Sequence, residues 1–243
     1  MNGAGRLRAP VVDGRRLPLP LAPGQRDMSA PELLTFKGHP VPYITAWTGE
    51  RLEQPLVVPM RGGGVTFDDL VFGRRDPKSV LWLPWALRPG DGRPDYSRVH
   101  GPRQRRAMRM QLCQVCSGPA DLNEQGRLFL LEDNRHIDGW PEREVTVHPP
   151  VCLRCAPIAL RLCPHLRDRA VAVRARQVVA DGVYGTLYTA GVPLPVPVEK
   201  GAIRLVSEPD VRWMVGSQTA ATLMDCTIVD LPGDGPQDPA GSG

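Results

Sequence analysis

The sequence predicts an α+β fold in which short-stranded mixed β structure surrounds a zinc-binding module, with a β-hairpin and a helix near the C-terminus. Three observations predict this fold. Two Cys-x-x-Cys pairs are separated by 35 residues, the apolar runs before them are only four or five residues long, and 27 prolines and 25 glycines interrupt the 243-residue chain. Short apolar runs between prolines and glycines are typical of strands joined by turns.

Composition excludes several classes of protein. Hydrophobic residues make up 42% of the chain, which is enough for a buried core and excludes a collagen, a coiled-coil rod or a wholly disordered chain. No uninterrupted apolar stretch approaches the roughly 18 residues of a membrane span. The apolar run at 17–22 is too short, and too rich in proline, for a signal peptide. We therefore expect a cytoplasmic protein with no membrane partner.

The chain is predicted to form a single composite domain at 28–231. The flanking segments, 1–27 and 232–243, are rich in proline and glycine and lack apolar periodicity. They are predicted to be a disordered extension and a disordered tail. Within the domain, a zinc module is expected at about residues 102–168.

Four short strands are predicted before the zinc module, at 33–36, 43–47, 56–59 and 79–83. Prolines interrupt almost all of them, and proline cannot donate to a strand ladder, so the strands should be short or lie at sheet edges. In the module, a helix at 102–112 has proline in its first turn. Strands are predicted at 127–132 and 144–148, and a second helix at 152–163 ends at Pro164.

The C-terminal third is predicted to contain a hairpin and then a helix. Asp181-Gly182 separates strand-like runs at 170–180 and 183–189, and an Asp-Gly pair between strands is typical of a tight turn. A further strand is expected at 202–206. Residues 209–224 are predicted to be helical because apolar residues at 211, 214, 215 and 223 give a broken apolar face. A last strand is expected at 227–231.

The two cysteine pairs predict a metal site with four ligands: Cys113, Cys116, Cys152 and Cys155. Zinc binds four thiolates tetrahedrally at about 2.3 Å, and a Cys-x-x-Cys turn lets two sulfurs converge on one ion. Disulfides are the weaker interpretation because nothing in the sequence indicates secretion. The sequence therefore predicts one zinc per chain.

Two other cysteines have separate interpretations. Cys163 and His165 could supply ligands to a second metal, but the favoured interpretation places Cys163 in the core at a helix end. Cys226 is predicted to be a buried, small apolar residue.

The order of cysteine turn, hairpin and a helix that begins with two ligands resembles the treble-clef zinc fold over residues 110–166. HNH nucleases have this fold, and in such an enzyme His136 would be the catalytic histidine. The sequence departs from the nuclease pattern at Arg135, where the family has Asp or His, and at Ala156, where it often has His or Asn. These departures favour a protein that is not an enzyme. A divergent HNH-type metal-dependent nuclease is the alternative.

Four stretches are similar to a group of uncharacterised actinobacterial proteins. They are Pro42-Tyr-Ile-Thr-Ala-Trp47, Arg103-Gln-Arg-Arg106, His148-Pro-Pro-Val-Cys152 with the cysteine pairs, and Gly182-Val-Tyr-Gly185. This similarity implies one composite fold from about 28 to 231 and brings no function with it.

Arginine-rich segments flank the predicted zinc module. Residues 93–109 contain six arginines and one acid, and four of these arginines, Arg103, Arg105, Arg106 and Arg109, lie on the predicted helix. Such a helix is suited to phosphate contacts. The alternative is a solvated basic face, because only three of the 30 basic residues are lysines, a pattern typical of GC-rich coding sequences.

These observations predict an intracellular, zinc-stabilised binding or regulatory protein. DNA or RNA is one predicted partner, contacted through the arginine-rich helices, and another protein is the other. A structural or assembly component is the remaining alternative to the nuclease.

Overall fold

The computed structural model describes residues 33–231 apart from 70, 74 and 163–168, together with strands β1 (Val11–Val12) and β2 (Arg15–Arg16). These two strands pair antiparallel within a separate unit, Met1–Pro31. The other elements belong to the unit Glu32–Gly243. The rest of the predicted extension at 1–27, and the predicted tail at 232–243, lie outside the described residues.

Eight strands and one α-helix lie within residues 33–125. They are β3 (Thr35–Phe36), β4 (His39–Pro40), β5 (Thr45–Trp47), β6 (Val57–Pro59), β7 (Val65–Phe67), β8 (Leu81–Trp82), β9 (Pro94–Val99), α1 (Gly101–Met110) and β10 (Leu122–Asn123). The later elements are β11 (Gly126–Glu132), β12 (Val145–Thr146), α2 (Ala156–Leu162), β13 (Ala170–Thr189), β14 (Val196–Leu205) and β15 (Met214–Val229). Short 3-10 turns span Thr48–Glu50, Leu153–Cys155 and Pro209–Trp213.

Seven strands form one mixed sheet. Its order is β10-β11-β13-β15-β12, with β14 also paired to β13 and β8 also paired to β15. The β8–β15 pair is parallel and the others are antiparallel. β13 and β15 are 20 and 16 residues long and pair along most of their length. The ladders β3–β4, β5–β9 and β6–β7 have two strands each.

The prediction of an α+β fold is wrong, because the chain is mostly β. Strands hold 42% of the described residues, and helices hold 15%. The described residues contain only two α-helices, of ten and seven residues. The sequence predicts strand-like runs at 170–180 and 183–189 rather than one continuous strand, and residues 171–175 of β13 are buried consecutively. A strand covered on both faces lacks the alternation of apolar and polar residues by which strands are recognised in a sequence.

The predicted C-terminal helix at 209–224 is also wrong. Only its first five residues are helical, in the 3-10 segment Pro209–Trp213, and β15 begins at Met214. β15 is paired with β13 on one side and with β8 and β12 on the other. These tertiary hydrogen bonds override the weak helical spacing of its apolar residues.

The Asp181-Gly182 turn is not formed either, because β13 runs straight through it. The register between β13 and β15 shifts between Val179 and Gly182, which is the signature of a β-bulge. A β-carbon at Gly182 would lie 2.9 Å from the β-carbon of Ala220. The glycine is therefore required by the close approach of two strands, and the hairpin of this region is instead the β13–β14 pair.

Several local predictions are confirmed. Each of the four strands predicted before the cysteine pairs is present within its predicted bounds, as β3, β5, β6 and β8, and the first predicted helix is α1. The strands predicted at 127–132 and 144–148 form as β11 and β12, but they pair with β13 and β15 rather than with each other. They do not make the hairpin that the treble-clef resemblance implies.

In the part of the chain that the structure describes, no helix is both long enough and apolar enough to cross a membrane.

β11 separates two parts of the core. Leu128 and Leu130 belong to the buried cluster that contains the cysteines, whereas Phe129 and Leu131 belong to a second cluster with Leu223. Successive side chains of a strand point to opposite faces, so this one strand supports both clusters. The cluster that contains the cysteines therefore packs against one face of the large sheet.

α1, which leads into the first cysteine pair, is fixed on β15 by a buried glutamine. The Gln104 amide donates to the backbone oxygens of Val147 and Thr219, at 2.7 and 2.8 Å, and accepts from the Thr219 N–H at 2.9 Å. Gln104 has no exposed surface. A fully bonded buried amide fixes a unique position for the helix.

Candidate metal centre

The four predicted ligands come together in one cluster. The sulfurs of Cys113, Cys116, Cys152 and Cys155 all lie within 4.8 Å of one another. The Sγ atoms of Cys116 and Cys152 are 3.9 Å apart, too far for a disulfide. Four sulfurs at the Zn–S distance around a tetrahedral ion would be about 3.8 Å apart, so the arrangement fits a metal ion of that size.

The end of α1 places the first cysteine pair. Gln111 ends the helix in the left-handed conformation, with its N–H donating to the Ala107 oxygen. Residues 113–118 then form a tight turn in which the Cys113 N–H donates to the Gly118 oxygen at 2.7 Å. Ser117 takes a positive φ of 59°, which the tight turn requires. The turn directs both sulfurs of the first pair inward.

Backbone N–H groups surround the sulfurs of this turn. Val115 N–H donates to the Cys113 sulfur at 3.4 Å, and the N–H groups of Cys116 and Cys152 also point to it. The Gly118 N–H points to the Cys116 sulfur. Hydrogen bonds of this kind favour thiolate over thiol, which is the form that binds metal.

A short helical segment places the second pair. Cys152 precedes the 3-10 turn Leu153–Cys155, and its oxygen accepts from the N–H groups of both Cys155 and Ala156. α2 follows directly, so the pair lies at the start of a helical stretch as the sequence predicts. The predicted second-metal ligands after α2, Cys163 and His165, lie outside the described residues.

Hydrogen bonds and burial shift the pKa values of Cys113, Cys116 and Cys155. A hydrogen bond from the Cys113 thiol lowers the pKa of Cys116 to about 5, and the same bond with burial raises the pKa of Cys113. Burial raises the pKa of Cys155 to about 12. Metal binding requires all four sulfurs as thiolates, so it displaces the thiol protons, and metal affinity must fall as the solution is acidified.

Sequence reasoning missed one charged neighbour, Arg154, which lies between the second pair of cysteines. Slight desolvation lowers the pKa of its guanidinium. A hydrogen bond to Cys116 and attraction to the sulfurs raise the pKa by more than this, so it lies above its usual value. A divalent ion with four thiolates carries two negative charges, which a nearby guanidinium partly offsets. The position of Arg154 inside the Cys-x-x-Cys motif was the sequence signal that could have indicated its proximity to the sulfurs.

Cys226 and His136 lie apart from the four cysteines. Cys226 is half-buried and packs on the second core cluster, where burial raises the pKa of its thiol to about 12. His136 is exposed in the loop between β11 and β12. In that loop Asp133 is bonded to Arg135, with contacts at 2.9 and 2.7 Å.

Arg103 is not on the surface of α1, where a phosphate could reach it. It is 6% exposed and pairs with Glu50, which has no exposed surface. Arg103 Nη2 donates to Glu50 Oε2 at 2.7 Å and to the Thr45 oxygen at 2.6 Å, and Nη1 donates to Glu50 Oε1. The prediction that this arginine contacts phosphate does not fit its position.

The same acid anchors several backbone segments. Glu50 accepts from the N–H groups of Trp47 and Arg88, at 2.9 and 3.2 Å, as well as from Arg103. Burial alone would raise the pKa of Glu50, but the hydrogen bonds from Arg103 and Trp47 lower it below the usual value. The ion pair therefore joins α1 to β5 and to the loop before β9.

The other three arginines of α1 have different surroundings. The guanidinium of Arg105 lies over the ring of Trp82, 4.4 Å from its centroid, and burial lowers its pKa to about 10. Arg106 is exposed and donates to the Tyr43 hydroxyl at 3.3 Å. Arg109 is also exposed. The helix thus presents two arginines to solvent rather than four.

Comparison with known proteins adds no relative: no family model matches the chain, and no curated protein or solved structure matches it.

Proposed function

We propose that this chain is a zinc-stabilised binding protein in which the metal has a structural role. The observation that carries the proposal is the convergence of four cysteine sulfurs within 4.8 Å. Soft thiolate ligands in a tetrahedral set suit zinc. An ion there would join the turn after α1 to the start of α2, two segments separated by 35 residues of sequence.

The ligand set favours a structural metal over a catalytic one. Catalytic zinc keeps one coordination position for water or substrate, whereas four thiolates fill a tetrahedral ion. Three of the four cysteines are buried, and Leu128, Leu130 and Val151 pack in the same cluster. These apolar neighbours limit the access of the water that metal-assisted hydrolysis requires.

The nuclease alternative has little support. In the part of the chain that the structure describes, the four cysteines are the only group of three or more His, Cys, Asp or Glu side chains within metal-binding range. His136 therefore lacks the neighbouring ligands that a phosphodiester-cleaving metal needs.

Contact with DNA or RNA stays a prediction, and it now depends on a smaller surface. Of the four arginines on α1, Arg106 and Arg109 are exposed, and neither forms an ion pair with a described residue. Two phosphate contacts give a weak interaction, and its affinity falls with salt at a log–log slope of only about −1.8. A protein partner also stays a prediction, as does the role of an assembly component.

Cobalt substitution tests whether the metal site is closed. Co(II) bound by four thiolates gives intense absorption in the visible region, and a closed site has no position for an added ligand. We expect the spectrum of the cobalt-loaded full chain to be unchanged by excess imidazole. A spectral shift on adding imidazole would show an open coordination position and contradict the structural role.

A further inference from the structure

A cavity of about 610 Å³ lies beside the candidate metal centre. Its wall is built from β5, β9, the first cysteine turn, α2 and the large sheet. Small-molecule sites in proteins occupy about 300–1,000 Å³ and often lie where several elements meet. The size and position of this cavity therefore fit a site for a small organic molecule.

The wall combines apolar surface with hydrogen-bond donors. Ile44, Val99, Val115 and Leu162 are among its apolar residues, and Tyr184 adds a phenol. None of the lining residues that the structure describes is acidic. Such a wall suits a ligand with an apolar body and acceptor oxygens, and it disfavours cations.

Gln114 supplies a buried donor in this wall. Its side chain is 6% exposed, and its Nε2 has no hydrogen-bond partner among the described residues. Its backbone is fixed from two sides, by a hydrogen bond to the Pro150 oxygen at 3.0 Å and another from the Ile44 N–H at 3.3 Å. A buried donor without a partner is unfavourable, and an acceptor oxygen on a ligand would satisfy it.

The rim of the cavity is positively charged. Arg98 is the only arginine or lysine among the described lining residues, and its side chain is 57% exposed. Its Nε lies 3.5 Å from Asp95 Oδ2, but Arg51 also pairs with that carboxylate. One acid is shared by two arginines, so a net positive charge remains at the rim.

We propose that this cavity binds a small organic acid. Its aromatic or aliphatic body packs on the apolar wall, and its negative charge is attracted by Arg98. Gln114 Nε2 has almost no accessible surface, so the amide turns toward the cavity when an acceptor oxygen of the ligand bonds it. The inference rests on the proposed function, because Gln114 and Val115 lie between the ligands Cys113 and Cys116. The metal then fixes the part of the wall that bears the donor.

Two rigid probes of the same shape test the proposal: 2-naphthoate, an acid, and 2-naphthamide, its neutral analogue. Both are titrated into the zinc-loaded full chain and followed by calorimetry. We expect the acid to bind about fivefold more tightly than the amide, because the attraction of an exposed arginine is modest. Either probe can accept from Gln114, so Gln114→Leu should weaken both about tenfold.

Matched variants separate binding from folding. Gln114→Leu keeps the side chain's approximate size and removes an unpaired buried donor, so its thermal stability should equal or exceed that of the parent. Arg98→Gln should abolish the preference for the acid. The controls Gln177→Leu and Arg93→Gln change exposed residues that are not among the described lining residues and should leave both affinities unchanged.

Three results would overturn the proposal. They are no binding of 2-naphthoate up to about 1 mM, equal affinities in the parent and Gln114→Leu, and equal affinities for the acid and the amide. Zinc content is measured for every sample. A zinc-loaded parent that does not bind the acid contradicts only the cavity proposal, whereas a folded parent without zinc contradicts the proposed function itself.

Discussion

Cys152→Ser is expected to abolish the cooperative thermal unfolding transition of the parent chain or to lower its midpoint by more than any other single change considered. Serine cannot supply the thiolate that the site requires. A structural zinc site contributes about 10–16 kcal/mol of apparent binding free energy, which is comparable to the entire stability of a domain. Circular dichroism during heating measures the transition.

Cys226→Ser is the matched control for this experiment. Both cysteines are half-buried, so the two substitutions remove a similar amount of packed sulfur. Only Cys152 lies in the metal cluster. We expect Cys226→Ser to cost about 1 kcal/mol, the usual effect of a single substitution. Equal midpoints for Cys152→Ser and the parent would show that the four cysteines do not hold a stabilising ion.

Arg103→Ala is expected to destabilise the chain by about 3–5 kcal/mol, because it leaves Glu50 charged, buried and without its main partner. The two side chains are 6% and 0% exposed, so water cannot replace the lost hydrogen bonds. Urea unfolding of the zinc-loaded protein measures the change as a lower midpoint at constant slope.

Arg106→Ala is the control on the same helix. Arg106 is exposed, and its substitution should change the free energy of unfolding by less than about 0.5 kcal/mol. The comparison also distinguishes two roles for the arginines of α1. If Arg103→Ala unfolded at the same urea concentration as Arg106→Ala, the buried ion pair would not stabilise the fold.

The metal centre could be predicted from sequence because its signal is local and chemical. Two Cys-x-x-Cys pairs specify ligand type and turn geometry within four residues each, and the structure brings their sulfurs together. α1 could be predicted equally well, since the proline at its second residue marks a helix start. Neither prediction required knowledge of what packs against the segment.

The large sheet could not be predicted in the same way. The pairing of β13 with β15 joins residues that are 27 to 57 positions apart in the sequence, and no local pattern reports it. Asp181-Gly182 favours a turn in isolation, but the approach of Ala220 makes Gly182 part of a bulge instead. The burial of Arg103 could not be predicted for a similar reason, because its partner Glu50 lies 53 residues earlier in the chain.

We propose that Cys113, Cys116, Cys152 and Cys155 together hold one structural zinc. Elemental analysis of the purified full chain, after extensive dialysis against metal-free buffer, tests it most directly. We expect one zinc per chain in the parent and in Cys226→Ser, and none tightly held in Cys152→Ser. A parent chain that is folded and carries no tightly bound zinc would contradict it.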